Sequence, residues 1–63
     1  MSMRDVERAI LNEVIAITGR RKLRLKDIAE WSTSESIVRK NATETETVIH
    51  CPGVGCWAAI PKE

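Results

Sequence analysis

Aromatic side chains are scarce in this 63-residue chain, which has no tyrosine, no phenylalanine and only two tryptophans, Trp31 and Trp57. Two rings are too few to form a surface on which single-stranded bases stack. No apolar run is long enough to cross a membrane, and the N-terminus lacks the apolar stretch of a secretory signal. We therefore expect one small cytoplasmic domain, residues 1–63, with no membrane partner and no large enclosed active site.

Ligands for metals and groups for catalysis are equally few. His50, Cys51 and Cys56 offer three zinc ligands where four are needed, so no metal site within one chain is predicted. Two chains sharing the cysteines, or a disulfide between them, remain alternatives to the preferred interpretation of reduced, partly buried thiols. One histidine without a defined pocket does not make a catalytic site, so we expect neither enzymatic activity nor a cofactor.

The net charge is also small, +1 from 10 basic and 9 acidic residues, so any positive field must come from the distribution of charges. Residues 20–26 carry five cations, with Leu23 and Leu25 at alternate positions. This alternation predicts a short basic strand with the leucines facing inward. The cations would either anchor nucleic-acid phosphates or form an ordinary solvated loop, and both interpretations fit the sequence.

Apolar residues recur every three or four positions near the N-terminus and predict a helix from about Met3 to Thr18. Ser2 would cap its start, and Gly19 lies where a left-handed backbone conformation often ends a helix. The apolar stripe of this helix should be the main contributor to the core; it comprises Met3, Val6, Ile10, Val14 and Ile17, widened by Leu11 and Ile15.

The stretch between Leu25 and Lys40 predicts two short helices joined by a tight turn. In the first, Leu25, Ile28 and Ala29 fall at helical spacing. Ser32 and Glu35 have the form of a capping box, which predicts a second helix from about Thr33. Its two large apolar residues, Ile37 and Val38, should face the core. The polar side chains that should then face outward are Ser34, Ser36, Arg39 and Lys40.

Within this stretch the segment IAEWSTSESIVRK resembles the helix-turn-helix signature of bacterial and phage DNA-binding proteins. The resemblance implies a small, dimeric transcription regulator that binds double-stranded DNA. The second helix would enter a groove through Ser34, Ser36, Arg39 and Lys40. The backbone phosphates would be contacted by Arg20, Arg21, Lys22 and Arg24.

The C-terminal third predicts a β-hairpin. Residues 43–51 alternate and are rich in β-branched side chains, residues 52–55 read Pro-Gly-Val-Gly, and residues 56–60 can return as a second strand. A four-residue loop pairs Cys51 with Cys56, and the pairs Ile49–Ala58 and Thr47–Ile60 follow on the same face. The opposite face then carries Val48, His50, Trp57 and Ala59.

The resulting prediction is an α+β fold with three helices followed by a C-terminal β-hairpin, in the element order of a winged helix. The resemblance implies that the basic strand joins the hairpin in a three-stranded sheet. An alternative function is a protein-interaction module, such as a phage-type modulator of a host protein, whose partner or dimer surface is Val48, His50 and Trp57. A third alternative treats the C-terminal part as a substrate for peptide-modifying enzymes behind a helical leader.

Overall fold

The computed structural model describes residues 3–63, which form two α-helices and one three-stranded antiparallel sheet. The chain order is helix α1 (Met3–Thr18), a 3-10 turn (Leu25–Asp27), strand β1 (Glu30–Ser32), helix α2 (Glu35–Asn41), strand β2 (Glu46–Cys51) and strand β3 (Cys56–Pro61). The strands lie in the order β1-β3-β2. The α+β class agrees with the prediction, but three helices followed by a hairpin is wrong.

Helix α1 has the predicted bounds. Ile10 and Val14 are its fully buried residues and lie in the main core. The helix ends as predicted, because Gly19 adopts a φ of 73° and its N–H donates to the Ile15 carbonyl at 2.8 Å. The predicted serine cap falls outside the described residues. The buried stripe is narrower than predicted, since Met3 and Ile17 at its two ends are exposed.

The hairpin register is confirmed at every predicted pair: Cys51 opposite Cys56, Ile49 opposite Ala58 and Thr47 opposite Ile60. The first strand begins at Glu46 and not at residue 43. The reason is a local turn, in which the Glu46 N–H donates to the Thr43 carbonyl at 3.0 Å and the Glu46 carboxylate accepts the Thr43 N–H at 2.8 Å.

The predicted basic strand over residues 20–26 is wrong. Leu23 is buried as expected, but the chain turns there, and Leu25 begins the 3-10 turn. The free edge of β3 is taken instead by β1, which pairs Trp31 with Ala58. This pairing is favourable because it packs the large Trp31 ring against the main core. Residues 20–26 contain no aromatic side chain that could bury a similar area.

The first predicted helix of residues 25–40 is also wrong, since only the Leu25–Asp27 turn forms there. The turn is closed by Asp27, whose carboxylate accepts the Arg24 N–H at 2.9 Å. Beyond it the chain is extended, and the Ala29 N–H donates to the Ala59 carbonyl at 3.0 Å. An isolated helix of so few residues would have to carry the full nucleation cost, whereas the extended chain gains sheet hydrogen bonds.

Helix α2 starts about half a turn later than predicted, with Ser34 at its N-cap position. The predicted capping box does not form, because the Ser32 hydroxyl accepts the Ser34 N–H at 3.1 Å. Val38 is completely buried as predicted, but Ile37 is 49% exposed, so its predicted burial is wrong. Adjacent helical residues lie about 100° apart around the axis, and a seven-residue helix on a sheet buries only a narrow stripe.

The sheet lies between the two helices. Neighbouring strand residues point to opposite faces, so Ala58 and Ile60 contact the α1 side while Ala59 faces α2. Val38 and Ala59 are both fully buried, yet neither belongs to the main core cluster. A hydrogen bond of 3.1 Å from the Asn41 amide to the Glu30 carboxylate joins α2 to β1 on that face. A small second core therefore exists beneath α2, and residues 3–63 lack the third helix of the predicted winged-helix-like arrangement.

Candidate nucleic-acid interface

Residues 20–26, here called the cationic loop, leave α1 at a well-defined point. The Thr18 hydroxyl donates to the Val14 carbonyl at 2.7 Å and accepts the Arg20 N–H at 3.2 Å. This local bonding turns the chain sharply at Gly19 and directs it past the end of β3. Leu23 then enters the main core and anchors the middle of the loop.

Arg20 is a second anchor. Its guanidinium donates to the Pro61 carbonyl at the end of β3, and its Nε lies 3.6 Å from Glu63 Oε1. The side chain is only 22% exposed. This arginine, predicted to contact DNA, is therefore held within the molecule, where it ties the loop to the C-terminal segment.

The other cations of the loop point into solvent. Four side chains are exposed, and none of them forms an ion pair with another residue in the described part of the chain. The carboxylate nearest in sequence, Asp27, bonds to a backbone N–H at the base of the loop. The structure thus presents a compact set of unneutralised positive charges on an anchored loop: Arg21, Lys22, Arg24 and Lys26.

A groove of about 510 Å³ lies beside the loop, between it and the end of β3. Its lining includes the cations Arg20, Arg21 and Lys22 and the carboxylates Asp27 and Glu63. The two carboxylates make the groove itself electrostatically mixed. The outward face of the loop, and not the groove, is therefore the more favourable place for an anion.

Three of the four predicted recognition residues on α2 have side-chain partners within the protein. Ser34 and Ser36 bond to each other, with their hydroxyl oxygens 3.0 Å apart. Arg39 Nε lies 2.7 Å from Glu35 Oε2, in an exposed ion pair between successive turns of the helix. Lys40 is exposed and makes no ion pair among residues 3–63.

Only part of the predicted DNA-binding set is brought together. The C-terminal end of α2 lies next to Glu30 at the start of β1, on the face of the sheet opposite the main core that Leu23 of the cationic loop enters. The two serines lie at the other end of α2, beside Ser32. Lys26 belongs to the cation cluster but not to the predicted contact set, and the structure shows that it is exposed like Arg21, Lys22 and Arg24. The sequence feature that could have added Lys26 to the predicted contacts is its position in the run of cations at residues 20–26.

The three residues of the predicted partner surface, Val48, His50 and Trp57, lie on one face of the hairpin. His50 and Trp57 face each other across the hairpin with ring centroids 4.3 Å apart and planes inclined by 26°. Val48 lies on the same face of β2, one pleat away, and is partly exposed. Ala59, opposite Val48, is buried, so the apolar patch on this face is smaller than the sequence suggested.

The cysteines occupy the other face, directly opposite each other at the end of the hairpin, and both are free thiols buried against α1. Burial raises the pKa of the Cys51 thiol, and the nearby Glu13 carboxylate and Cys56 add to the rise. Glu13 also accepts the Gly53 N–H at 3.1 Å, which fixes α1 to the hairpin loop. A buried thiol with a raised pKa is a poor nucleophile, so Cys51 is a structural residue.

Residues 3–63 contain no group of three or more histidine, cysteine or acidic side chains placed to hold a metal ion. None of the helices in that range is both long and apolar enough to cross a membrane. Comparisons of the chain with protein-family models, with curated proteins and with solved structures found no match.

Proposed function

We propose that this protein binds duplex DNA through the phosphate backbone, with the cationic loop as the contact surface. The observation that carries the proposal is a set of four exposed cations that form no ion pair within residues 3–63: Arg21, Lys22, Arg24 and Lys26. Lysine and arginine on a fixed loop release counterions when they contact phosphates, and this term is largely independent of base sequence.

Two features favour this surface over the rest of the molecule. Leu23 and Arg20 hold the loop in place before DNA arrives, so little chain entropy is lost on binding. Arg39 on α2 is already paired with Glu35 and would give up that contact to bind a phosphate.

A duplex is favoured over a single strand because both tryptophans, the only aromatic rings of the sequence apart from His50, already have partners within the protein. Trp31 packs against the core and Trp57 is stacked on His50. Binding to a duplex without a catalytic constellation fits a regulatory or architectural role at DNA in the cytoplasm. The two free cysteine thiols agree with that reducing compartment.

The proposal is tested by fluorescence anisotropy with a random-sequence duplex at low salt. Substituting Arg21→Gln with Lys22→Gln should weaken binding by about tenfold or more, because two phosphate contacts are lost. Arg4→Gln with Arg8→Gln is the matched control, since it removes the same charge from exposed positions of α1. Equal losses in both variants would show that only net charge matters, and no binding by the wild type would refute the proposal.

A further inference from the structure

The outer edge of β2 has backbone groups that no strand pairs with. The sheet order places β2 at an edge, with β3 on its inner side. The Lys62 N–H donates to the Thr45 carbonyl at 2.9 Å, so the backbone groups of Thr45 point toward β3. Along an antiparallel strand, successive residues point their N–H and C=O alternately toward and away from the neighbouring strand. The residues whose N–H and C=O then point away from β3 are Glu46, Val48 and His50. Ala59 confirms the alternation, because its carbonyl turns away from Val48 to accept the Ala29 N–H.

This edge has few of the features that natural proteins use to block strand addition. Strand β2 contains no lysine, arginine or proline, and its register with β3 is continuous, without a bulge. Its one acid, Glu46, is turned back toward its own chain, where Oε1 accepts both the N–H and the hydroxyl of Thr43.

The side chains beside the edge are also incompletely covered. Thr47 and Ile49 lie on the α1 face but remain partly exposed, whereas the residues opposite them on β3, Ile60 and Ala58, are buried. The exposure therefore comes from the open side of β2. A strand added there would cover Ile49 and complete the core.

We propose that the strand added there is β2 of a second copy of this chain, in an antiparallel pairing about a two-fold axis at Val48. Such an axis, perpendicular to the sheet, keeps the α1 faces of both copies on the same side. The two residues of each pair across the interface, one from each copy, must then lie on the same face of the combined sheet. With the axis at Val48, Val48 lies opposite the partner's Val48, Glu46 opposite the partner's His50, and Thr47 opposite the partner's Ile49.

Most of the edge backbone groups find a partner in this register, and the His50 carbonyl stays open to solvent. Each Val48 N–H donates to the other Val48 carbonyl, and each His50 N–H donates to the partner's Glu46 carbonyl. The Glu46 N–H stays bonded to Thr43 in its own turn, so no hydrogen bond of the protomer has to break. The Val48 N–H and C=O, which lie at the middle of the unpaired edge, are thereby satisfied.

The side chains match as well, and this identifies the partner as a second copy. An imidazole N–H of His50 can donate to the Glu46 carboxylate of the other protomer, whose Oε2 accepts no hydrogen bond within residues 3–63. Trp57 stacks on His50 and orients the ring. Moving the axis to Ile49 would place His50 opposite Val48 and lose the carboxylate, so the sequence of β2 is self-complementary about Val48. The dimer does not depend on DNA binding.

Sedimentation equilibrium over a concentration series tests the dimer. The wild type should approach twice the 7.1 kDa chain mass, and Val48→Lys should remain at the monomer mass because two ammonium groups would meet at the axis. Ile37→Lys is the matched control, since it places the same charge at the exposed apolar residue of α2. A monomeric wild type, or a dimer lost through Ile37→Lys and kept in Val48→Lys, would overturn the proposal.

A cross-linking experiment tests the register and does not depend on the lysine variant folding. Opposed residues of antiparallel strands approach within disulfide range, so Val48→Cys should form an intermolecular disulfide across the axis. Oxidised glutathione serves as the oxidant, and each new disulfide releases two reduced glutathiones. Ile49→Cys and the wild type should remain uncross-linked. Cross-linking of Ile49→Cys without Val48→Cys would place the axis elsewhere and refute the proposed interface.

Discussion

Val38 and Ile37 are neighbours on α2 with opposite environments: the first is completely buried above Ala59, and the second is 49% exposed. The second core beneath α2 contains few side chains, so each of them contributes a large share of its stability. Burial of a single valine here holds α2 on the sheet together with the Asn41–Glu30 hydrogen bond.

Truncating the two residues should therefore have unequal effects. Val38→Ala removes buried methyl groups and leaves a small cavity, so we expect the free energy of unfolding to fall by about 2 kcal/mol. Ile37→Ala should change it by less than about 0.5 kcal/mol, as is usual for an exposed position. Urea denaturation followed by circular dichroism measures both values, and equal losses would show that α2 packs through a different face.

The Cys51 thiol makes stability depend on pH. Its folded-state pKa is raised by burial and by Glu13, so the unfolded chain loses this proton at a lower pH than the folded chain does. The free energy of unfolding should then decline as the pH rises past the ordinary thiol value of about 8.5.

Denaturation at about pH 7 and about pH 9.5, on either side of that value, measures the decline. Cys51→Ala has no proton to lose at this position, so its decline over the same interval should be smaller than that of the wild type. If the two proteins respond identically to pH, the thiol is not the group responsible.

At the scale of secondary-structure elements, the predictions are correct where the stabilising contacts join residues that are close in the sequence. Helix α1 follows from its own apolar period and Gly19, and the β2–β3 register follows from a short loop between alternating strands. Strand β1 does not follow from its sequence, because its partner β3 is distant in the chain. Ile28 and Ala29 do fall at helical spacing, but the chain there is extended because the Ala29 N–H bonds to the Ala59 carbonyl.

The correction to β1 can be tested at Ala29. Ala29→Pro removes the N–H that donates to the Ala59 carbonyl and leaves that acceptor without its partner, so we expect a loss of about 1–3 kcal/mol in the free energy of unfolding. Ala29→Gly keeps the N–H and serves as the control. In the wild type the Ala29 amide should be protected from hydrogen exchange; exchange at the open-chain rate would contradict the strand.

At the scale of the whole molecule, the proposed DNA binding depends on where the positive charges lie and not on the net charge. The sequence identified the cation cluster, but it could not show that Arg20 would turn back to Pro61 and Glu63 while its neighbours stayed free. That division depends on the path of the chain after Leu23 enters the core. Ser34 and Ser36, which a recognition helix would present to a groove, lie at the end of α2 beside Ser32, opposite the end that contacts Glu30.

The salt dependence of duplex binding tests the central claim most directly. If Arg21, Lys22, Arg24 and Lys26 each contact one phosphate, the logarithm of the binding constant should fall against the logarithm of salt concentration with a slope of about −3.6 per protomer. Removing two of these charges should bring the slope to about −1.8 per protomer, whereas the α1 control should leave it unchanged. A slope near zero, or one that responds equally to both double substitutions, would contradict DNA binding through the cationic loop.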